Sequence, residues 1–298
     1  MMDYSKSILR LPEAWKTSQG SREVIVAVVD TGVQVDHPDL KNNIWVNEAE
    51  LNGRPGVDDD GDGYVDDVYG WDFVNNRPNA IDDNKHGTHC SGIIGAELNG
   101  QGTVGVSPLV KIMPLKFLDS SGSGDTANAI SAINYAVAHG AKVISNSWGG
   151  GGESSLLNEA IQNAIAKGVV VVAAAGNASS NNDTVGSFPA NYPGVLAVAS
   201  TDSADKLSSF SNYGPGKTFI AAPGSNIYST VIGSSYAYLS GTSMATPQVS
   251  GALALALSVR PAATAAELKQ ALCDSSKKIL LDKVQCGRMD VADLLSRL

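Results

Sequence analysis

Short apolar runs alternate with amphipathic stretches along the chain. Val24-Ile25-Val26-Ala27-Val28-Val29 is an unbroken apolar run, which reads as a strand buried on both faces. Further runs near Ile112, Val143, Val169 and Val195 read the same way. Between them, Ala129, Ile130, Ile133 and Val137 recur at helical spacing and stop at Gly140. Leu157, Ala160, Ile161, Ala164 and Ile165 do the same and stop at Gly168, and Glu267, Leu268, Ala271 and Leu272 mark a peripheral helix near the end. The run after Ser243 is rich in Ala and Gly but holds Gln248 and Ser250, so it reads as a central core helix and not as a membrane span. Strands alternating with helices predict an α/β fold with a mostly parallel central sheet flanked by helices. No repeat or linker divides the sequence, so residues 1–298 are read as one domain.

Polar residues stand where these elements begin or end. Asp30 closes the first apolar run and is followed by Thr31-Gly32, at the strand edge where open α/β sheets build their sites. An Asp starting a turn reads equally well there. Asn177 closes the run Val169 to Gly176, where it either sits in a turn after glycine or offers a side-chain amide to an oxyanion. His86 opens His86-Gly87-Thr88-His89-Cys90-Ser91-Gly92, ahead of a helical stretch. The His-x-x-His spacing raises a zinc reading, but the acid-and-helix pattern of zinc proteases is absent. Ser243 lies in Gly241-Thr242-Ser243-Met244-Ala245-Thr246-Pro247 and would open the core helix. Unpaired N–H groups and the helix dipole favour negative charge at that place, which suits an acyl-transfer nucleophile. The plainer reading is an N-cap serine followed by an early proline.

Composition narrows the partners. A net charge of −9 argues against nucleic acid, which needs a basic face. No apolar stretch is long enough to cross a membrane. Of the three cysteines, Cys273 and Cys286 stand close together and read as a disulfide, with two free thiols as the alternative. A bridge suits an extracellular protein. Cys90, four residues after His86, reads as a buried unpaired thiol one helical turn away.

Asp30, His86, Asn177 and Ser243, in that order and in those surroundings, resemble the subtilisin-like serine proteases. The blocks that carry the resemblance are Val28-Val29-Asp30-Thr31-Gly32, His86-Gly87-Thr88-His89 and the Gly241 to Pro247 segment. Cys90 resembles the cysteine beside the histidine of proteinase-K-like members. The resemblance implies a subtilisin-like three-layer fold and a serine endopeptidase with Ser243 as nucleophile. His86 is then the general base and acid, Asp30 its orienting partner, and Asn177 an oxyanion donor. It also implies a substrate groove lined by Ser121, Gly122, Ser123, Gly124, Ser147, Trp148, Gly149 and Ala178. Because Ala178 carries no charge, neutral, apolar or aromatic residues are expected before the cut. Protein or peptide substrates follow, with a prodomain or protein inhibitor as a further occupant of the groove. A secreted monomer is expected. Met1-Met2-Asp3-Tyr4 leads straight into the domain, which suits a mature form without signal or prodomain.

An acidic segment adds a cofactor. Asp58, Asp60 and Asp62 before Gly63 give the D-x-D-x-D-G start of an EF-hand-type loop, with Tyr64, Asp66 and Asp67 following. The glutamate expected at the twelfth position is replaced by Tyr69, so Asp66 or Asp67 is expected to substitute. So many carboxylates repel without a counter-ion, which points to Ca2+. By resemblance alone, Asp39, Glu97, Asn99, Gln101 and Thr103 form a second calcium site, with Asp3 as a weaker match. Other classes compete. A non-catalytic calcium-binding module on a protease scaffold is opposed by the intact set of four site residues. A sedolisin-type enzyme is opposed by His86 and Asn177, which that type replaces with acids. Cysteine-protease chemistry at Cys90 is opposed by the complete setting of Ser243.

Overall fold

The computed structural model describes residues 3–298. Two short helices, α1 (Tyr4–Ile8) and α2 (Leu11–Ala14), lead into strand β1 (Gly20–Asp30). Helix α3 (Glu48–Leu51), the short pair β2 (Trp71–Asp72) and β3 (Arg77–Pro78), and helix α4 (His86–Gly95) come next. Then β4 (Leu109–Lys116), α5 (Thr126–Ala138), β5 (Val143–Asn146), α6 (Ser155–Ala166) and β6 (Val170–Ala174) alternate. Strands β7 (Leu196–Thr201) and β8 (Ile220–Pro223) complete the sheet, and β9 (Ile227–Val231) and β10 (Ser235–Leu239) form a separate antiparallel hairpin. Helices α7 (Thr242–Val259), α8 (Ala265–Asp274) and α9 (Val291–Ser296) end the chain.

The sheet order is β3-β2-β4-β1-β5-β6-β7-β8, parallel throughout except for β2 with β3. The expected strands and the parallel α/β arrangement are present. The chain passes from β4 over β1 to β5, so the order reverses around β1. In such sheets the crevice opens outside the strand ends at that reversal. Asp30 stands there, at the last position of β1 and level with Lys116 on β4.

Alternating side chains of the sheet feed two cores. Val24, Val26 and Val28 face one layer, together with Ile93 and Ile94 of α4 and the apolar residues of α7. Ala27 and Val29 face the other, against Ala132 and Ile133 of α5 and Ile161 of α6. Helix α7 is buried almost throughout, which fits its apolar composition on every side. Its small residues let it lie close: a Cβ at Gly251 would come within 2.7 Å of Val106. The expected helix near the end is α8, held by a capping box between Thr264 and Glu267. Cys273 and Cys286 are bridged, with their Cα atoms 5.0 Å apart.

Candidate active site

Asp30 is fully buried, and its Oδ1 accepts hydrogen bonds from the Thr31 N–H at 2.7 Å and from His86 Nδ1 at 2.8 Å. This bond fixes the ring so that Nε2 is the free nitrogen. His86 opens α4, which approaches β1 closely because Gly87 has no side chain. A Cβ there would lie 2.1 Å from the carbonyl oxygen of Gly32. The turn before it is strained: Lys85 has φ 114°, in the region that favours glycine. Asp82 holds that turn, its Oδ1 accepting from the N–H groups of Asn84 and Lys85. The other oxygen of Asp82 accepts from Thr88 N and Oγ1, while Thr31 Oγ1 donates to Oδ1. Strain pinned by such a network belongs where one orientation of a side chain matters.

Burial, the largest influence, disfavours the charged form of His86, but the Asp30 carboxylate and the Cys90 sulfur together hold the imidazole well above its usual value. Burial pushes the Cys90 thiol up. His89 behaves oppositely. Burial lowers it to about 4, and its Nε2 faces the carbonyls of Ile227 and Ala237 at 3.1 Å. Among the described residues, no cluster able to share an ion includes His89.

Ser243 lies in the first turn of α7, behind Gly241. Its hydroxyl donates to the Ser147 carbonyl at 2.9 Å. The amide of Asn177 is oriented by its neighbours. Its Oδ1 accepts from Thr242 N at 2.8 Å and Thr242 Oγ1 at 2.9 Å. Both are donors, so the carbonyl end is spoken for and the Nδ2 end is left to donate beside Ser243. On the sequence alone, Thr242 belongs to the Gly241 to Pro247 block but carries no role of its own.

Two cavities form the groove. The first, of about 410 Å³, runs past Ser243 and Asn177 to Ala178, Val185 and Gly186. No charged side chain lines it; Asp183 turns away and accepts from the Gly216 N–H. The second, of about 350 Å³, is walled by Phe117, Leu118, Leu157 and Phe188, with Gly122, Ser123 and Gly124 along it. Trp148 and Gly149 border both, and the Trp148 ring packs on Phe117 at 4.6 Å between centroids. Ser121 instead donates to the Asp119 carboxylate, and Ser147 lies beneath the groove against Ser243.

The acidic loop brings oxygen atoms of Asp58 and Asp60 together with Glu50, and those of Asp60 and Asp62 with His139. Glu50 and His139 were not read from the sequence. One oxygen of Asp62 is buried with no hydrogen-bond partner, and His139 Nε2 stands 3.1 Å from it. Burial raises Asp62, whereas N–H groups of Gly63, Gly61 and Asp62 hold Asp58 low. A buried carboxylate oxygen without a hydrogen bond, within a cluster of acidic side chains, fits a hard cation. Asp66 and Asp67 face elsewhere. Asp66 accepts from Gly56 N, while Asp67 accepts from Asn47 and the Tyr135 hydroxyl and is raised by burial to about 6. Tyr64 packs its ring on Trp71 and Tyr135.

The second set fits less well. Asp39 already accepts from Asn99 Nδ2, Thr103 N and Tyr236 Oη at 2.9–3.0 Å. Asn99 Oδ1 accepts from Gln101 N, so its oxygen is turned away from Asp39. The N–H of Glu97 donates to the Asp39 carbonyl, and its carboxylate holds Asn42. Asp3 caps α1 and accepts from Tyr228 N.

The sequence profile of the subtilase family, peptidase S8, matches residues 21–288. The chain is 43% identical over 277 residues to thermitase of Thermoactinomyces vulgaris, covering 93% of this chain and 88% of that one. It is 40% identical to a thermophilic serine proteinase of Bacillus sp. strain AK1, over 89% of this chain but only 59% of the relative's length. A crystal structure of a cold adapted subtilisin-like serine proteinase superposes with a TM-score of 0.72 at 32% identity, over 90% of this chain and 87% of the other.

Proposed function

The chain belongs to the subtilase family of serine proteases, and from that premise we propose a calcium-stabilised endopeptidase in which Ser243, His86, Asp30 and Asn177 carry the reaction. The observation that supports this most is the 2.8 Å bond between Asp30 and His86 Nδ1 beside the N-terminus of α7. His86 Nε2 takes the Ser243 proton as Oγ attacks the scissile carbonyl, then gives it to the leaving amine. Asp30 stabilises the imidazolium formed between these steps. Asn177 Nδ2 and the backbone N–H of Ser243 hold the oxyanion. Water then attacks the acyl-enzyme, with His86 again as base.

The uncharged lining of the first cavity supports cleavage after apolar or aromatic residues. Extended peptide bound along Gly122, Ser123 and Gly124 gains affinity from backbone bonds, which suits broad specificity. Residues 1–298 are read as a single catalytic domain. The Cys273–Cys286 bridge supports an extracellular location. A prodomain or protein inhibitor would occupy the same groove, and a monomer suffices for the reaction.

The test is hydrolysis of chromogenic peptides across pH 5–10. A peptide with Phe before the cut is expected to be cleaved, and a sulfonyl fluoride to abolish the activity. Because the folded His86 is raised, its neutral form accumulates only above the usual histidine value of about 6.5, so kcat/KM should climb through and beyond pH 7. A plateau already reached at pH 5, or a preference for Lys or Arg, would count against the proposal.

Glu50, Asp58, Asp60 and Asp62 would hold Ca2+ in the acidic loop, where it neutralises their mutual repulsion. The Asp39 set is carried by resemblance, and there the Asn99 amide must turn its oxygen inward. With Ca2+ at 100 times its Kd, binding adds about 2.7 kcal/mol. Chelation is then expected to lower Tm by roughly 5 °C or more. A Tm indifferent to EDTA would remove calcium from the account.

A further inference from the structure

Helix α7 carries a proline one turn after the nucleophile. Pro247 has no N–H, so the helical bond it would donate to the Ser243 carbonyl, four residues earlier, is missing. Two side chains from outside the helix donate to that carbonyl instead. Ser147 Oγ reaches it at 3.0 Å and Cys90 Sγ at 3.4 Å, and both residues are buried. They come from different elements: Ser147 directly follows β5, and Cys90 lies on α4 one turn after His86.

We propose that Ser147 and Cys90 are positioning residues that replace the missing helical bond and set the orientation of Ser243, an inference that rests on Ser243 being the nucleophile. The carbonyl they hold fixes ψ of Ser243 and so the direction of its Cα–Cβ bond. The preceding unit is held as well, because Asn177 Oδ1 accepts from the Thr242 N–H. The nucleophile is therefore suspended between two bonds that its own helix does not provide. Ser147 touches it twice, donating through its side chain and accepting the Ser243 hydroxyl through its main chain. Such anchoring matters because a displacement of about 1 Å at reacting atoms can cost about 100-fold in rate.

The arrangement makes a particular pattern of coupling. Pro247→Ala restores an N–H at the position that Ser243 lacks, so the Ser147 hydroxyl should matter with proline at 247 and matter little with alanine there. Ser147→Ala in the otherwise unchanged chain is expected to lower kcat by about 3- to 10-fold, the worth of one hydrogen bond, with KM moving less. In the Pro247→Ala background the same substitution should cost under about twofold. An independent pair avoids changing the helix: Cys90→Ala should lower kcat, and Cys90→Ser, which keeps a donor, should retain it. Peptide hydrolysis and thermal melting of all variants are measured beside Ser243→Ala. If Ser243→Ala stays active, the nucleophile assignment itself fails. If Ser243→Ala is inert, the clamp is overturned by Ser147→Ala matching the parent, by equal losses in both backgrounds, by a change confined to KM, or by Cys90→Ala and Cys90→Ser behaving alike.

Discussion

Ser243→Ala is expected to lower kcat by about a million-fold, the loss that subtilisin itself suffers, carried over to this relative. The reason is that no other group here can take the acyl chain. Cys90 is buried, its thiol is raised, and it is committed to the Ser243 carbonyl. Some acceleration over water should survive, because Asn177 and the groove still bind the distorted carbonyl. Adding His86→Ala to Ser243→Ala should therefore cost little more, since a base without a nucleophile has nothing to deprotonate. Steady-state hydrolysis with active-site titration reads this directly. Parental activity in the single variant would mean another nucleophile or a contaminating protease. An additive loss in the double variant would mean that His86 acts independently of Ser243.

Asn177→Ala is expected to lower kcat by about 100- to 1,000-fold, the range measured for the oxyanion asparagine of subtilisin, while KM changes by much less. The ground-state carbonyl asks little of the Nδ2 donor, and the tetrahedral oxyanion asks much. The split is informative because the substitution also leaves the Thr242 N–H and hydroxyl without their acceptor. Loosening of the helix start alone would disturb substrate binding and thermal stability together. A rise in KM with kcat retained would thus show that Asn177 serves the start of α7 and not the oxyanion.

The parts of the site legible in the sequence are those fixed by local chemistry. Asp30 was visible because a short unbroken apolar run reads as a buried strand, and a carboxylate at the end of such a strand stands where open α/β sheets build their sites. Ser243 was visible because a serine just ahead of a long apolar run reads as a helix start, and because its motif block resembles that of the subtilisin-like proteases. Strand β8 and the β9–β10 hairpin were not read: Ile220–Pro223 is too short to show a period, and the exposed pattern of Ser235–Leu239 carries no core signal. In the acidic loop all the aspartates look alike along the chain. What separates Asp67 from Asp60 is Tyr135, sixty-eight residues on, and no local rule brings α5 to that loop. Distance hid His139 in the same way, whereas Glu50 stands close in sequence but outside the D-x-D-x-D-G pattern. The proposed clamp on Ser243 was not legible: Pro247 reads only as an early helix proline, and nothing along the chain brings Ser147 and Cys90 to the Ser243 carbonyl.

The order of elements has a consequence for how such an enzyme comes into being. Asp30, His86 and Asn177 all precede α7, and the helix that brings Ser243 also fills the middle of one core layer. A nascent chain that has not yet delivered residues 242–259 from the ribosome holds an acid, a base and an oxyanion donor but no means of cutting. Nor does it hold the packing that would bring them into line. On the proposed roles, destructive capacity therefore arrives together with the core layer that α7 completes.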